Sequence, residues 1–132
     1  MEMKKGQHCV YGIEYHIVWC TKYRRKVLAS KIESRLHELL SHFADANGFE
    51  IITMNGEEDH IHLLISATPT TAIPNIVKGM KGVSARMLFK GFPEIKKDLY
   101  GGHLWSPSYF VCTVSDNTEE NIKKYIESQK QK

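Results

Sequence analysis

The chain has 132 residues and a mass of 15.2 kDa, with 42% hydrophobic and 25% charged residues, proportions that suit one globular domain spanning 1–132 with a core of its own. Its formal net charge of +3 is weakly basic, too little by itself to make a nucleic-acid binder. No apolar run approaches the ~20 residues of a membrane span, the lysines near the N-terminus are not followed by the apolar stretch of a secretory signal, and Cys9, Cys20 and Cys112 form neither a zinc pattern nor a disulfide framework, so the expected setting is the reducing cytoplasm.

Residues 9–20 alternate and are rich in β-branched and aromatic types, which predicts a long strand with Tyr11, Ile13, Tyr15, Ile17 and Trp19 on one face. Cys20 and Cys112, in strand-like runs, read as small apolar fillers. A basic loop, 21–26, follows the first strand. Ser30 or a neighbour can cap a helix running to Asn47-Gly48, with Ile32, Leu36, Leu39, Leu40 and Phe43 as its core stripe and His37 and His42 outside it. Residues 49–54 predict a second strand, Asn55-Gly56 a turn, and residues 59–67 a returning strand, together an antiparallel hairpin.

Residues 72–90 predict a second helix with Ile73, Ile76, Val77, Met80, Val83 and Met87 as its stripe; Pro74 suits its first turn, while Gly79 and Gly82 weaken it. A short irregular or helical piece, 94–100, precedes Gly101-Gly102. His103-Leu104-Trp105 and Ser108–Val114 then read as short strands broken by Pro107. Residues 115–118 read as a hinge, and Thr118 followed by Glu119-Glu120 favours the start of a last helix. The order β-α-β-β-α-β-(β)-α predicts an α+β fold, a ferredoxin-like or RRM-like antiparallel sheet covered by helices.

Two stretches carry chemistry. In Asp59-His60-Ile61-His62-Leu63-Leu64-Ile65 the strand period of two puts His60 and His62 on one face and Ile61, Leu63 and Ile65 on the other. Two imidazoles on a rigid ribbon can hold one metal ion; two histidines on a solvated strand face are the plainer alternative. In the last helix Tyr125 and Gln129 are four apart and share a face, beside an Ile122/Ile126 stripe that can dock the helix. A tyrosine hydroxyl is a possible nucleophile, and a glutamine carbonyl can complete a metal shell begun by two histidines; packing for the one and fraying for the other is the alternative. Asp59 either orients an imidazole or simply begins its strand. The basic residues cluster as Lys22, Arg24, Arg25 and Lys26 and as Lys78, Lys81, Arg86 and Lys90, which suits tracking of a phosphate backbone or an ordinary solvated face. Trp105 and Tyr23 can stack on bases, or be buried.

The sequence resembles the single-tyrosine HUH (His-hydrophobic-His) transposases of the insertion-sequence 200/605 type. The resemblance is carried by the runs from Tyr15 to Lys26, Asp59 to Leu64, Lys81 to Arg86, Leu104 to Phe110 and Tyr125 to Gln129, in that order, across nearly the whole chain. One departure is Glu58, where such proteins often have proline before the Asp-His. The resemblance implies a DNA strand transferase that acts on single-stranded DNA with subterminal hairpins at mobile-element ends. Tyr125 would attack the scissile phosphate, giving a 5′-phosphotyrosine and a free 3′-hydroxyl, and a second 3′-hydroxyl would reverse the step. It further implies Mg²⁺ or Mn²⁺ on His60, His62 and Gln129, DNA contacts from Lys22, Arg24, Arg25, Lys78, Lys81 and Arg86, and a homodimer sharing its active sites between subunits. A rolling-circle initiator or relaxase shares this chemistry but usually adds domains and places its tyrosine before the His pair. A non-catalytic single-strand-binding module would place aromatics where the His pair sits.

Overall fold

Period-two alternation carries directly into the sheet. In the computed structural model, which describes residues 4–5, 10–11, 13–67, 72–99, 102–113 and 118–129, the strands are β1 (Lys4–Lys5), β2 (Val10–Tyr11), β3 (Ile13–Cys20), β4 (Glu50–Glu57), β5 (His60–Ala67) and β6 (Phe110–Thr113). Four of them form one antiparallel sheet in the order β4-β5-β3-β6, while β1 and β2 form a separate two-stranded antiparallel sheet. The helices are α1 (Ser30–Asn47), α2 (Ile73–Gly91) and α3 (Thr118–Ser128), with short 3₁₀ turns at Lys22–Arg24 and Pro93–Asp98. The α+β, ferredoxin-like expectation holds.

One face of the sheet is the core. Ile17, Trp19, Ile61, Leu63 and Ile65 are at most 2% exposed, as are Leu36 and Leu40 of α1 and Met80 and Leu88 of α2. Those helical residues recur at the spacing that builds one apolar stripe. A Cβ at position 79 would lie 2.4 Å from the tip of the Phe43 ring, so glycine there lets α1 and α2 approach with that ring between them. Gly48 closes α1 in the left-handed conformation at φ 73°, its N–H bonded to the Ala44 carbonyl, as Asn47-Gly48 predicts.

Several expectations are corrected. Asn55-Gly56 is not the hairpin turn: β4 runs on to Glu57, with Gly56 opposite Ile61, and the chain reverses at Glu58-Asp59. Glycine is needed at 56 for proximity instead, since a Cβ would stand 2.4 Å from the His60 carbonyl oxygen. Within the predicted strand over 9–20, Val10–Tyr11 pairs with β1 while Ile13–Cys20 joins the main sheet, and Ile13 is 45% exposed rather than in the core stripe. Ser30 does not cap α1; it is the first helical residue, after Ala29, and no side chain caps there. His103–Trp105 is not a strand: Trp105 makes an isolated bridge to Thr21, flanked by the bonds from Lys22 N–H to the Leu104 carbonyl and from Ser106 N–H to the Cys20 carbonyl at the end of β3. The hinge expected over 115–118 lies, apart from Thr118, outside the described residues, as does Cys9.

Candidate active site

The face of the sheet opposite the core carries the chemistry. His60 faces Cys20 across the β5–β3 ladder, His62 faces Val18, and Val18 in turn faces Phe110 on β6. Val18 and Cys20 have no exposed surface, although they point away from the core. They are covered by α3: Ile122 is 6% exposed, and the Tyr125 ring lies 5.7 Å from that of Phe110. The tyrosine helix thus lies over the His-bearing face of its own chain.

His60 is pinned. Its Nδ1 lies 2.8 Å from Asp59 Oδ1, while Arg24 donates to Asp59 Oδ2 from Nε at 2.9 Å and approaches it with Nη2 at 2.8 Å. The carboxylate thereby selects the tautomer with Nδ1–H and leaves the Nε2 lone pair outward, the usual support for a metal-binding histidine. Burial alone would raise the Asp59 carboxyl, but hydrogen bonds from His60 and Arg24 and the Arg24 charge hold it below the ordinary carboxylate range. Glu57, Asp59 and His60 offer ligand atoms within 4.8 Å of one another. In that group Asp59 is already committed to Arg24 and His60 Nδ1, so it reads better as a support for His60 than as a member of a ligand set.

His62 has a partner that sequence reasoning passed over. His16 Nδ1 stands 2.8 Å from His62 Nε2, with the rings tilted at 42° and their centroids 5.0 Å apart. Burial lowers the pKa of both, reinforced at His62 by the His16 and His60 charges and opposed at His16 by Glu14 and Glu119. Both imidazoles are therefore neutral at pH 7, one donating to the other. His16 shares the phase of Val18 and Cys20, but only the β3–β5 register reveals that it meets His62.

The second half of the site hangs from the segment after Leu104. Ser106 N–H bonds the Cys20 carbonyl at 2.9 Å, which sets this segment beside β3 on the side away from β5. Ser106 Oγ donates to Gln129 Oε1 at 3.0 Å and Ser108 Oγ donates to it at 3.2 Å. Ser108 Oγ also lies 2.8 Å from Tyr125 Oη. Gln129 is only 3% exposed, so it is not a frayed end. Ser106 and His60 thus flank Cys20 on either side, about 10 Å apart at the usual strand spacing, a gap that two long side chains can span. Burial raises the Tyr125 hydroxyl above its ordinary value against the Ser108 hydrogen bond, so it is a neutral phenol. Burial and the Asp59 charge push the Cys20 thiol up to about 11, which makes it a neutral filler.

The basic residues divide. Arg25, Lys78 and Arg86 are exposed. Arg24 is spent on Asp59. Lys22 sets its Nζ 5.1 Å from the centre of the Tyr23 ring. Lys81 is half-buried and donates to the carbonyls of Ser106 at 2.6 Å and Ser108 at 3.0 Å, and burial pulls it down to about 8. It fastens the serine segment under α3. Trp105 is core, with its Nε1 bonded to Ser84, whereas Tyr23 is 45% exposed.

By type the donors match a divalent ion of borderline character, but two of the three are engaged: His60 Nε2 is left open by Asp59, His62 Nε2 is held by His16, and both lone pairs of Gln129 Oε1 are taken by Ser106 and Ser108, so a cation would have to displace His16 and one serine. Residues 9–129 match the family model described as Transposase IS200 like. The ISDra2 transposase TnpA of Deinococcus radiodurans is 52% identical over 132 residues, covering 100% of this chain and 94% of that protein. The transposase for insertion sequence element IS200 of Salmonella typhimurium is 29% identical over 126 residues, covering 96% of this chain and 82% of that one. Among solved structures, a crystal structure of a Deinococcus radiodurans R1 protein described as a transposase superposes with a TM-score of 0.91 at 46% identity, over 96% of this chain and 98% of that one. A REP-associated tyrosine transposase bound to a REP hairpin shares the fold at a TM-score of 0.59 and 12% identity, over 93% of this chain and 68% of that one.

Proposed function

From the premise that this chain belongs to the IS200-like transposase family, we propose that it cuts and rejoins single-stranded DNA with Tyr125 as the nucleophile. The observation that carries this reading is the meeting of Tyr125 and Gln129 at Ser108, on the same sheet face as His60 and His62. The Tyr125 oxygen forms a bond to the scissile phosphorus as the bond to the 3′-oxygen breaks, giving a 5′-phosphotyrosine and a free 3′-hydroxyl. Ser108 takes the hydrogen bond from the phenol, so the departing proton passes through Ser108 Oγ to solvent, since the Gln129 amide oxygen is too weak a base to keep it, and the 3′-oxygen takes up a proton as it leaves. The reverse step, by a 3′-hydroxyl of another strand, needs no external energy source, since one phosphoester replaces another. His60, His62 and Gln129 would hold a divalent cation, Mg²⁺ or Mn²⁺. Such a cation, when bound, polarises and orients a phosphate oxygen. Arg25, Lys78 and Arg86 would follow the DNA backbone, with Lys22 beside them, while Arg24 and Lys81 support the site from within.

The substrate in this reading is a single strand with subterminal hairpins, and the working form is a homodimer in the cytoplasm. Among the described residues no helix is long and apolar enough to cross a membrane. A site shared between subunits would need α3 of one subunit to seat on the sheet of the other through the same Ile122 and Tyr125 surface by which it docks here. The test is incubation with flanking single strands of the mobile element and Mn²⁺. A denaturation-resistant protein–DNA adduct is expected, lost in Tyr125→Phe while hairpin binding persists; an adduct that survives in Tyr125→Phe removes this nucleophile.

A further inference from the structure

The loop after β3 holds two consecutive non-glycine residues in the left-handed region, Tyr23 at φ 56° and Arg24 at φ 54°. Such a backbone is unfavourable for a bulky side chain and persists only where its surroundings enforce it. Here they do. Thr21 Oγ1 donates to the Arg25 carbonyl at 2.7 Å, Arg24 N–H bonds the Thr21 carbonyl at 2.9 Å, and Arg25 N–H bonds the Lys22 carbonyl at 3.3 Å. The Thr21 N–H is itself fixed to the Asp59 carbonyl at 2.9 Å, which ties the loop to the strand end that bears His60.

The strain at Arg24 has a use, since it turns the guanidinium onto Asp59 and so supports His60. The strain at Tyr23 has no counterpart in the fold. The residue is 45% exposed and lies outside the core, and the Lys22 ammonium stands 5.1 Å from the centre of its ring. Asparagine or glycine would take this backbone more readily. An aromatic ring held out by force, beside Lys22, Arg25 and Lys26 and one residue from the arginine that braces His60, has the composition of a single-strand stacking platform.

We propose that Tyr23 is a base-stacking residue that holds one unpaired nucleobase of the bound strand near the phosphate to be cut. This rests on the single-stranded DNA reading above and adds to it a positioning element outside the His pair, Tyr125 and Gln129. Stacking is blind to base identity, so Tyr23 would set where along the strand the scissile phosphate rests, with the sequence read elsewhere.

The experiment is an abasic scan. A hairpin-bearing single strand, with one base removed at each position near the cleavage point, is titrated against the full-length protein and against Tyr23→Asn, Tyr23→Phe and Tyr23→Trp. Asparagine accepts the left-handed backbone, so a loss in Tyr23→Asn reports the missing ring rather than a disturbed loop. Tyr23→Asn is expected to bind about 5- to 150-fold more weakly, while phenylalanine and tryptophan retain affinity. One abasic position should weaken the wild type and leave Tyr23→Asn unaffected, since the ring and the base are each other's partner. The salt dependence of binding should stay unchanged in Tyr23→Asn, because no phosphate contact is lost. Equal affinity of Tyr23→Asn and wild type for every oligonucleotide overturns the proposal, as does a loss in Tyr23→Phe as large as in Tyr23→Asn. A wild type that binds no single strand at all overturns instead the reading on which it rests.

Discussion

Ser108 Oγ and Tyr125 Oη lie 2.8 Å apart, and the direction of that bond is decided by a third residue. Ser108 gives its proton to Gln129 Oε1, a carbonyl that can only accept, so the phenol is the donor to Ser108. Tyr125, proposed as the nucleophile, Ser108 as its first acceptor, and the Gln129 amide oxygen, proposed as a metal ligand, are therefore one chain of hydrogen bonds.

Ser108→Ala breaks that chain in two places. The fold is expected to lose about 1–3 kcal/mol, the usual net worth of two such bonds. Adduct formation should slow about 10- to 100-fold, because a nucleophile without its hydrogen-bond partner is no longer held in line. Once Tyr125 ionises, Ser108 Oγ can turn its own proton onto the phenolate, which lowers the hydroxyl against the effect of burial, so removing Ser108 should also move the rate–pH profile to higher pH. Rates of adduct formation measured across pH check both; an unshifted profile at wild-type rate argues against a Ser108 path.

Asp59→Asn keeps the shape of the side chain and removes the charge that selects the His60 tautomer. Mn²⁺ affinity should fall about 10- to 100-fold, read directly by electron paramagnetic resonance of free and bound Mn²⁺. The substitution should also change acid stability. Asp59 sits below its ordinary 3.8 in the folded chain, so it contributes stability above that value which disappears as pH falls through the folded pKa. The asparagine variant should lack that part of the acid loss in urea melts at low pH.

His16→Leu should have the opposite sign on metal affinity. His16 Nδ1 engages His62 Nε2 at 2.8 Å, and a cation taken by that nitrogen must displace His16. Releasing it should tighten Mn²⁺ binding about 2- to 10-fold, the equivalent of one modest hydrogen bond. Weaker binding in this variant would instead make His16 a support for His62, as Asp59 is for His60.

Lys81→Met addresses the segment beneath α3. Losing the ammonium leaves the Ser106 and Ser108 carbonyls without their donor and should destabilise by about 1–3 kcal/mol. In the wild type Lys81 is pulled from its ordinary 10.5 to about 8, so above pH 8 the folded chain binds fewer protons than the unfolded one and this residue makes stability rise with pH. The rise is best read between about pH 8 and 9, because Cys20, pushed from 9.0 to about 11, acts in the reverse sense above that window. Denaturant midpoints across pH 8–9 should slope upward in the wild type and lie flat in Lys81→Met.

Local periodicity was enough to place His60 and His62 on one strand face, with Ile61, Leu63 and Ile65 on the other, and to set Tyr125 and Gln129 one helical turn apart. These are properties of backbone geometry that any partner leaves intact. The α+β order and the helix stop at Gly48 follow from the same kind of rule. What the sequence could not decide is who meets whom. That His16 touches His62, that Lys81 turns inward to two serine carbonyls, that Arg24 braces Asp59, and that Gly56 clears a carbonyl instead of making a turn all depend on strand register and on how helices seat across the sheet. Register joins residues 46 apart in the chain as tightly as neighbours, and it is chosen by the burial of the whole apolar face rather than by any short stretch.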